Sequence, residues 1–132
     1  MDRRTFLALT AVATALPSLG IAATEYKPGL VQKHLDQGDT VFLDFKAHWC
    51  STCRAQERVI SKLKSQNPDY EAKIVFIDVD WDRYARSDLA KELKIPRRST
   101  LVALKGDQEI GRIVAQTSSS KIKALMDAAL AA

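Results

Sequence analysis

Two short, mainly apolar runs divide the chain, Val41-Phe42-Leu43-Asp44-Phe45, broken only by Asp44, and Ile74-Val75-Phe76-Ile77. Apolar runs of this length, without polar alternation, predict strands buried on both faces, over Thr40 to Ala47 and Lys73 to Val79. Between them the pattern changes to a helical period. Ala55, Val59, Ile60 and Leu63 predict an amphipathic helix from Ser51 to Gln66, ended near Asn67-Pro68. A shorter helix precedes the first strand, over Pro28 to Gln37, with Leu30, Val31, His34 and Leu35 on one side and Gly38-Asp39 as its stop. A third helix is predicted over Arg83 to Leu93. Thr100 to Lys105 and Ile110 to Ala115 read as strands joined through Gly106-Asp107, a hairpin signal. Ser118-Ser119-Ser120 offers N-caps for a last helix with Ile122, Leu125, Met126 and Ala129 on one face. The order α-β-α-β-α-β-β-α predicts an α/β domain: a central mixed sheet of about four strands, flanked by helices, with right-handed crossovers, a closing hairpin and a C-terminal helix. No repeat, low-complexity segment or linker suggests a second domain.

The first 23 residues follow another pattern. Arg3-Arg4 precede an apolar stretch from Phe6 to Leu16, Pro17 and Gly20 interrupt it, and Ala22-Ala23 suit a signal peptidase. Residues 1–23 are read as a secretory signal peptide, and 24–132 as the domain. Arg3-Arg4-Thr5-Phe6-Leu7 also resembles a twin-arginine export motif. The alternative is a retained membrane anchor, for which the stretch is short. Cleavage leaves about 110 residues, enough for one ordinary core. It removes two arginines and one aspartate, lowering the net charge by one from +4. Basic and acidic residues are interleaved, so no nucleic-acid surface is expected.

Both cysteines of the chain lie in Trp49-Cys50-Ser51-Thr52-Cys53, between the first strand and its helix. Spacing of i, i+3 puts both sulfurs on one face of the first helical turn, within bonding reach. At the helix N-terminus, unpaired N–H groups and the positive dipole end favour a Cys50 thiolate, the nucleophile of thiol–disulfide exchange. Export leaves a structural staple open, but so small a loop removes little chain entropy. A Cu or Zn module using Cys50, Cys53 and His48 is the alternative of another class, and it lacks a full set of ligands. A third reading is a binding domain with a permanent disulfide. Asp78, Asp80 and Asp82 alternate as in a calcium loop, but Arg83 and Leu89 stand where glycine and glutamate are needed, so they read as a strand end and helix cap. His34 is read as structural.

Asp44-Phe45-Lys46-Ala47-His48-Trp49-Cys50-Ser51-Thr52-Cys53-Arg54 resembles the core motif of the thioredoxin family, and the likeness runs from about Pro28 to Leu130. The resemblance implies a thioredoxin-like fold and an exported thiol:disulfide oxidoreductase, acting as a reductant or electron relay rather than an oxidant. It implies that Cys50 attacks, that Cys53 resolves the mixed disulfide, and that Asp44 takes the proton from Cys53. Trp49, Arg98, Ser99 and Thr100 would form the substrate-binding surface. No metal site and no cofactor beyond the cysteine pair are expected. The implied partners are protein disulfide or dithiol substrates and a membrane or periplasmic redox protein, met by a monomer in the periplasm. Three departures stand out. Ser99 falls where the family has its cis-proline, with Pro96 three residues early. Phe76 replaces the lysine that often pairs with the buried acid. Arg58 replaces a mid-helix proline. Arg97 and Arg98 are expected to face Cys50 and favour its thiolate, and the Ser99 hydroxyl to reach a sulfur.

Overall fold

A computed structural model of the chain describes residues 23–132; the proposed signal segment, apart from Ala23, lies outside the described residues. The first apolar run becomes β2 (Thr40–Lys46), after a two-residue strand β1 (Thr24–Glu25) and helix α1 (Leu30–Asp36). The helix carrying the cysteines is α2 (Ser51–Gln66). It leads through α3 (Asp69–Lys73) into the second run, β3 (Ile74–Asp80). Two short helices, α4 (Trp81–Tyr84) and α5 (Asp88–Glu92), return the chain to the hairpin β4 (Thr100–Lys105) and β5 (Gln108–Val114), and α6 (Ser119–Ala131) closes the described residues.

The five strands form one sheet in the order β1-β3-β2-β4-β5. β2 lies at its centre, parallel to β3 and antiparallel to β4. That position explains its composition: residues Thr40 to Phe45 are all buried. Successive side chains of a strand point to opposite faces. Phe42 therefore packs with Ile60, Leu63, Tyr70, Ile122 and Met126 beneath α2, α3 and α6. Val41, Leu43 and Phe45 pack on the other face with Val31, Ile77, Val79 and Val102. Asp44 shares the Phe42 face, under the helix that carries the cysteines. Its register partner on β3 is Asp78.

The structure departs from the sequence expectation at several places, among them the unexpected helix α3. The sheet has five strands rather than about four, because β1, paired in parallel with Ile77 and Asp78, is too short to show a period. Lys73 ends a helix instead of starting β3. The predicted helix from Arg83 to Leu93 is two: the Asp80 side chain caps α4, accepting from the Asp82 N–H, and the Ser87 hydroxyl accepts the Ala90 N–H and starts α5. Such side-chain caps compete with continuation of a helix. On α2 the fully covered positions are Cys53, Gln56, Ile60 and Leu63, while Ala55 and Val59 are half-buried. A polar residue thus occupies the centre of the inward stripe. Among the described residues no helix is long and apolar enough to cross a membrane.

Ile122 is fully buried where α6 meets the sheet. Ile122→Ala should cost about 3 kcal/mol through lost burial and the cavity left behind. Denaturant unfolding should show a lower midpoint with an unchanged slope.

Candidate active site

Cys50 is the N-cap of α2, with φ −90° and ψ 114°. The strand-to-helix turn sets this geometry: the Cys50 N–H donates to Ala47 O at 3.1 Å and the Arg54 N–H to Cys50 O at 3.1 Å. Cys50 and Cys53 form a disulfide with Cα atoms 5.2 Å apart. The Cys53 N–H donates to Cys50 Sγ at 3.1 Å. A helix-end amide therefore already points at the sulfur that would carry negative charge after reduction. Both cysteines are buried, Cys50 3% exposed and Cys53 0% exposed.

Ser99 completes the centre. Its hydroxyl lies 3.2 Å from Cys50 Sγ and 3.1 Å from Cys53 Sγ, and with both sulfurs in the disulfide it is the donor. The backbone at Ser99 is held on several sides. Its N–H donates to Phe45 O at 2.7 Å, and its carbonyl accepts from the Ala115 N–H at 2.8 Å and from Gln56 Nε2 at 3.0 Å. Ser99 has φ +62°, and no cis peptide bond occurs among the described residues. The choice between Ser99 and Pro96 is thus resolved by contact: Ser99 touches the sulfurs, while Pro96 is exposed. A proline cannot reach φ +62°, so Ser99→Pro would rebuild this loop rather than probe it.

The other expected site residues separate. Trp49 is 51% exposed beside Cys50, and the Arg98 guanidinium lies 4.5 Å above its ring. Arg97 is half-buried, and its Nε donates to Arg98 O at 3.0 Å. Thr100 is fully buried, with its hydroxyl donating to Arg97 O at 2.7 Å, so it shapes the loop and offers no surface to a substrate. His48 is exposed, and His34 Nδ1 lies 2.8 Å from Asp39 Oδ2, away from the centre. Among the described residues no three His, Cys, Asp or Glu side chains gather to hold a metal ion. Asp80 caps α4 and Asp78 joins a different cluster, so the alternating acids form no calcium loop.

Asp44 is almost wholly buried, and no hydrogen bond joins it to either sulfur; its Oδ1 has no partner. Burial, then the neighbouring Asp78, raises its pKa from 3.8 to about 7, against a lowering by Lys46. Burial likewise raises Asp78. Lys46 Nζ holds Glu57 at 2.9 Å and Asp78 at 3.5 Å. Phe76 packs on Phe42, and its ring lies 4.0 Å from Lys64 Nζ. The compensating cation comes from Lys46 on Asp44's own strand. Sequence reasoning missed Lys46, Asp78 and Gln56. For Gln56 the signal was present, a polar side chain at the i+3 position from Cys53.

A disulfide at the start of a helix, facing a loop from the next strand of a mixed sheet, defines a class: thioredoxin-fold proteins equipped for protein dithiol–disulfide exchange. The chain belongs to the thioredoxin family, since the family model described as Thioredoxin matches residues 21–128. It is 36% identical over 83 residues to thioredoxin H-type of Fagopyrum esculentum, covering 63% of this chain and 66% of that one. It is 31% identical over 93 residues to mitochondrial thioredoxin-3 of Saccharomyces cerevisiae, covering 70% and 68%. The chain thus spans about two thirds of the length of these relatives. The crystal structure of that yeast protein in its oxidized form superposes with a TM-score of 0.63 at 27% identity, over 80% of this chain and 94% of the other.

Asp44 ionises near 3.8 in the unfolded chain and near 7 in the fold. Between those values the folded state holds a proton that the unfolded state has lost, so stability falls as pH rises from about 4 to about 7. Above pH 7 the buried charge costs roughly 4 kcal/mol. Asp44→Asn should therefore stabilise the oxidised protein at pH 8, with a gain that vanishes toward pH 4. Urea unfolding of both proteins at the two pH values checks this, and an equal difference at both would refute it.

Proposed function

We propose that this chain is an exported thiol:disulfide oxidoreductase that acts on protein substrates in the periplasm, as a reductant or electron relay. The arrangement that carries the reading is the Cys50–Cys53 disulfide under two donors, the Cys53 N–H and the Ser99 hydroxyl. In the reduced protein both donors stabilise a Cys50 thiolate. That thiolate attacks one sulfur of a substrate disulfide and releases the other as a thiolate. Cys53 gives its proton to ionised Asp44 through intervening water and attacks Cys50 Sγ. The second substrate sulfur leaves as a thiolate and takes up a proton. Two electrons have passed to the substrate, and the pair is again a disulfide.

Export by the N-terminal signal, through the twin-arginine or the general route, places the protein where disulfides form. A membrane or periplasmic dithiol protein would re-reduce it, and the single domain would work as a monomer.

Cys53→Ala should accumulate mixed disulfides through Cys50 in the periplasm, whereas Cys50→Ala should not. Non-reducing gels of tagged variants read this directly, and the absence of any captured protein in both would return the disulfide to a structural role. Ser99→Ala should slow alkylation of Cys50 in the reduced protein at pH 7 by about tenfold, the loss of one charge-assisted bond of about 1.4 kcal/mol. An unchanged rate would remove the hydroxyl from the mechanism.

A further inference from the structure

Beside the disulfide the surface opens into a cavity of about 480 Å³ lined by Trp49, Trp81, Asp82, Arg83, Arg86 and Arg98. Three arginines and one carboxylate line it. That carboxylate is engaged, since both Asp82 oxygens accept from Trp49 Nε1, at 3.1 and 2.9 Å. Among the described residues none of the three arginines has a carboxylate within 4.0 Å. The Arg98 guanidinium lies 4.5 Å from the centre of the Trp49 ring, and its buried Nε has no partner. Arg83 and Arg86 are exposed, with the Arg83 guanidinium 5.4 Å from the centre of the Tyr84 ring.

Unpaired guanidinium groups gathered at one concave site match a carboxylate, whose two oxygens accept the planar donor fork. We propose that this recess is a carboxylate-binding subsite, selecting polypeptides that carry Asp or Glu next to the disulfide they present to Cys50. The proposal rests on dithiol exchange at Cys50 and adds the substrate class. Its position favours a polypeptide ligand. Trp49 is the residue before Cys50, and its exposed ring joins the cysteine to the recess. A chain bonded to Cys50 through its own cysteine lays neighbouring residues across that ring. The opposite end of the sheet carries the reverse charge: a cavity of about 320 Å³ there is lined by Asp88, Glu92, Asp107 and Glu109. This separation orients an acidic partner toward the redox end during encounter.

The test uses stoichiometric reduced protein and three disulfide-bonded peptides that differ only in having Asp, Asn or Lys beside each cysteine. Second-order rates of peptide reduction are measured for the parent and for Arg83→Ser/Arg86→Ser, at low salt and at about 0.5 M salt. In the parent at low salt the Asp peptide should react about tenfold faster than the Asn peptide, and the Lys peptide slowest. The Asp-to-Asn ratio should approach one at high salt and in the double variant. Equal rates for the Asp and Asn peptides in the parent, or a ratio that survives the double substitution, would overturn the subsite and leave dithiol exchange standing. Failure of the parent to reduce any of the three would remove the exchange reading, and the subsite with it.

Discussion

Ser99 is the point at which this fold is tied together. Its N–H reaches β2 at Phe45, its carbonyl takes donors from Ala115 and Gln56, and its hydroxyl meets both sulfurs. One residue thereby fixes the spacing between the central strand, the closing hairpin, the cysteine helix and the disulfide. The backbone there is left-handed, which costs a non-glycine residue about 1–3 kcal/mol. Such a conformation persists only where its surroundings over-determine it. Three backbone hydrogen bonds and complete burial do so here.

Both sulfurs share the Ser99 hydroxyl, and Cys50 receives a helix-end amide as well. The Phe42 face of the sheet presents Asp44 and Asp78, with Lys46 as the nearest balancing cation. The same strand alternation that buries Phe42 also buries Asp44, so the carboxylate is raised by the packing that makes the sheet stable. Lys46 lies on the same strand as Asp44, and position 76 holds an aromatic ring in contact with Phe42.

Most of this was legible along the chain, and the exceptions share a cause. Long apolar runs and the C-x-x-C gave β2, β3, α2 and the redox pair, because burial and helix geometry act on neighbours in sequence. The helix expected from Arg83 to Leu93 broke because Ser87 offered its hydroxyl to Ala90, a local bond that periodicity does not register. Ser99 was recognised as unusual, but its positive φ, and with it the exclusion of proline, emerges only once three distant segments close around it. Gln56 and Lys46 acquire meaning through partners 43 and 32 residues away. Thr100, expected at the substrate surface, turned inward because its strand begins in the core.

Both tryptophans of the chain stand at the redox centre, Trp49 stacked beneath Arg98 and Trp81 packed against the cysteine pair. A disulfide accepts an electron from an excited indole, and a dithiol does so far less readily. All of the protein's indole emission therefore originates within reach of the one bond whose state changes in turnover. Light absorbed at these rings reports whether that bond is closed, and the molecule carries its own optical gauge without a label.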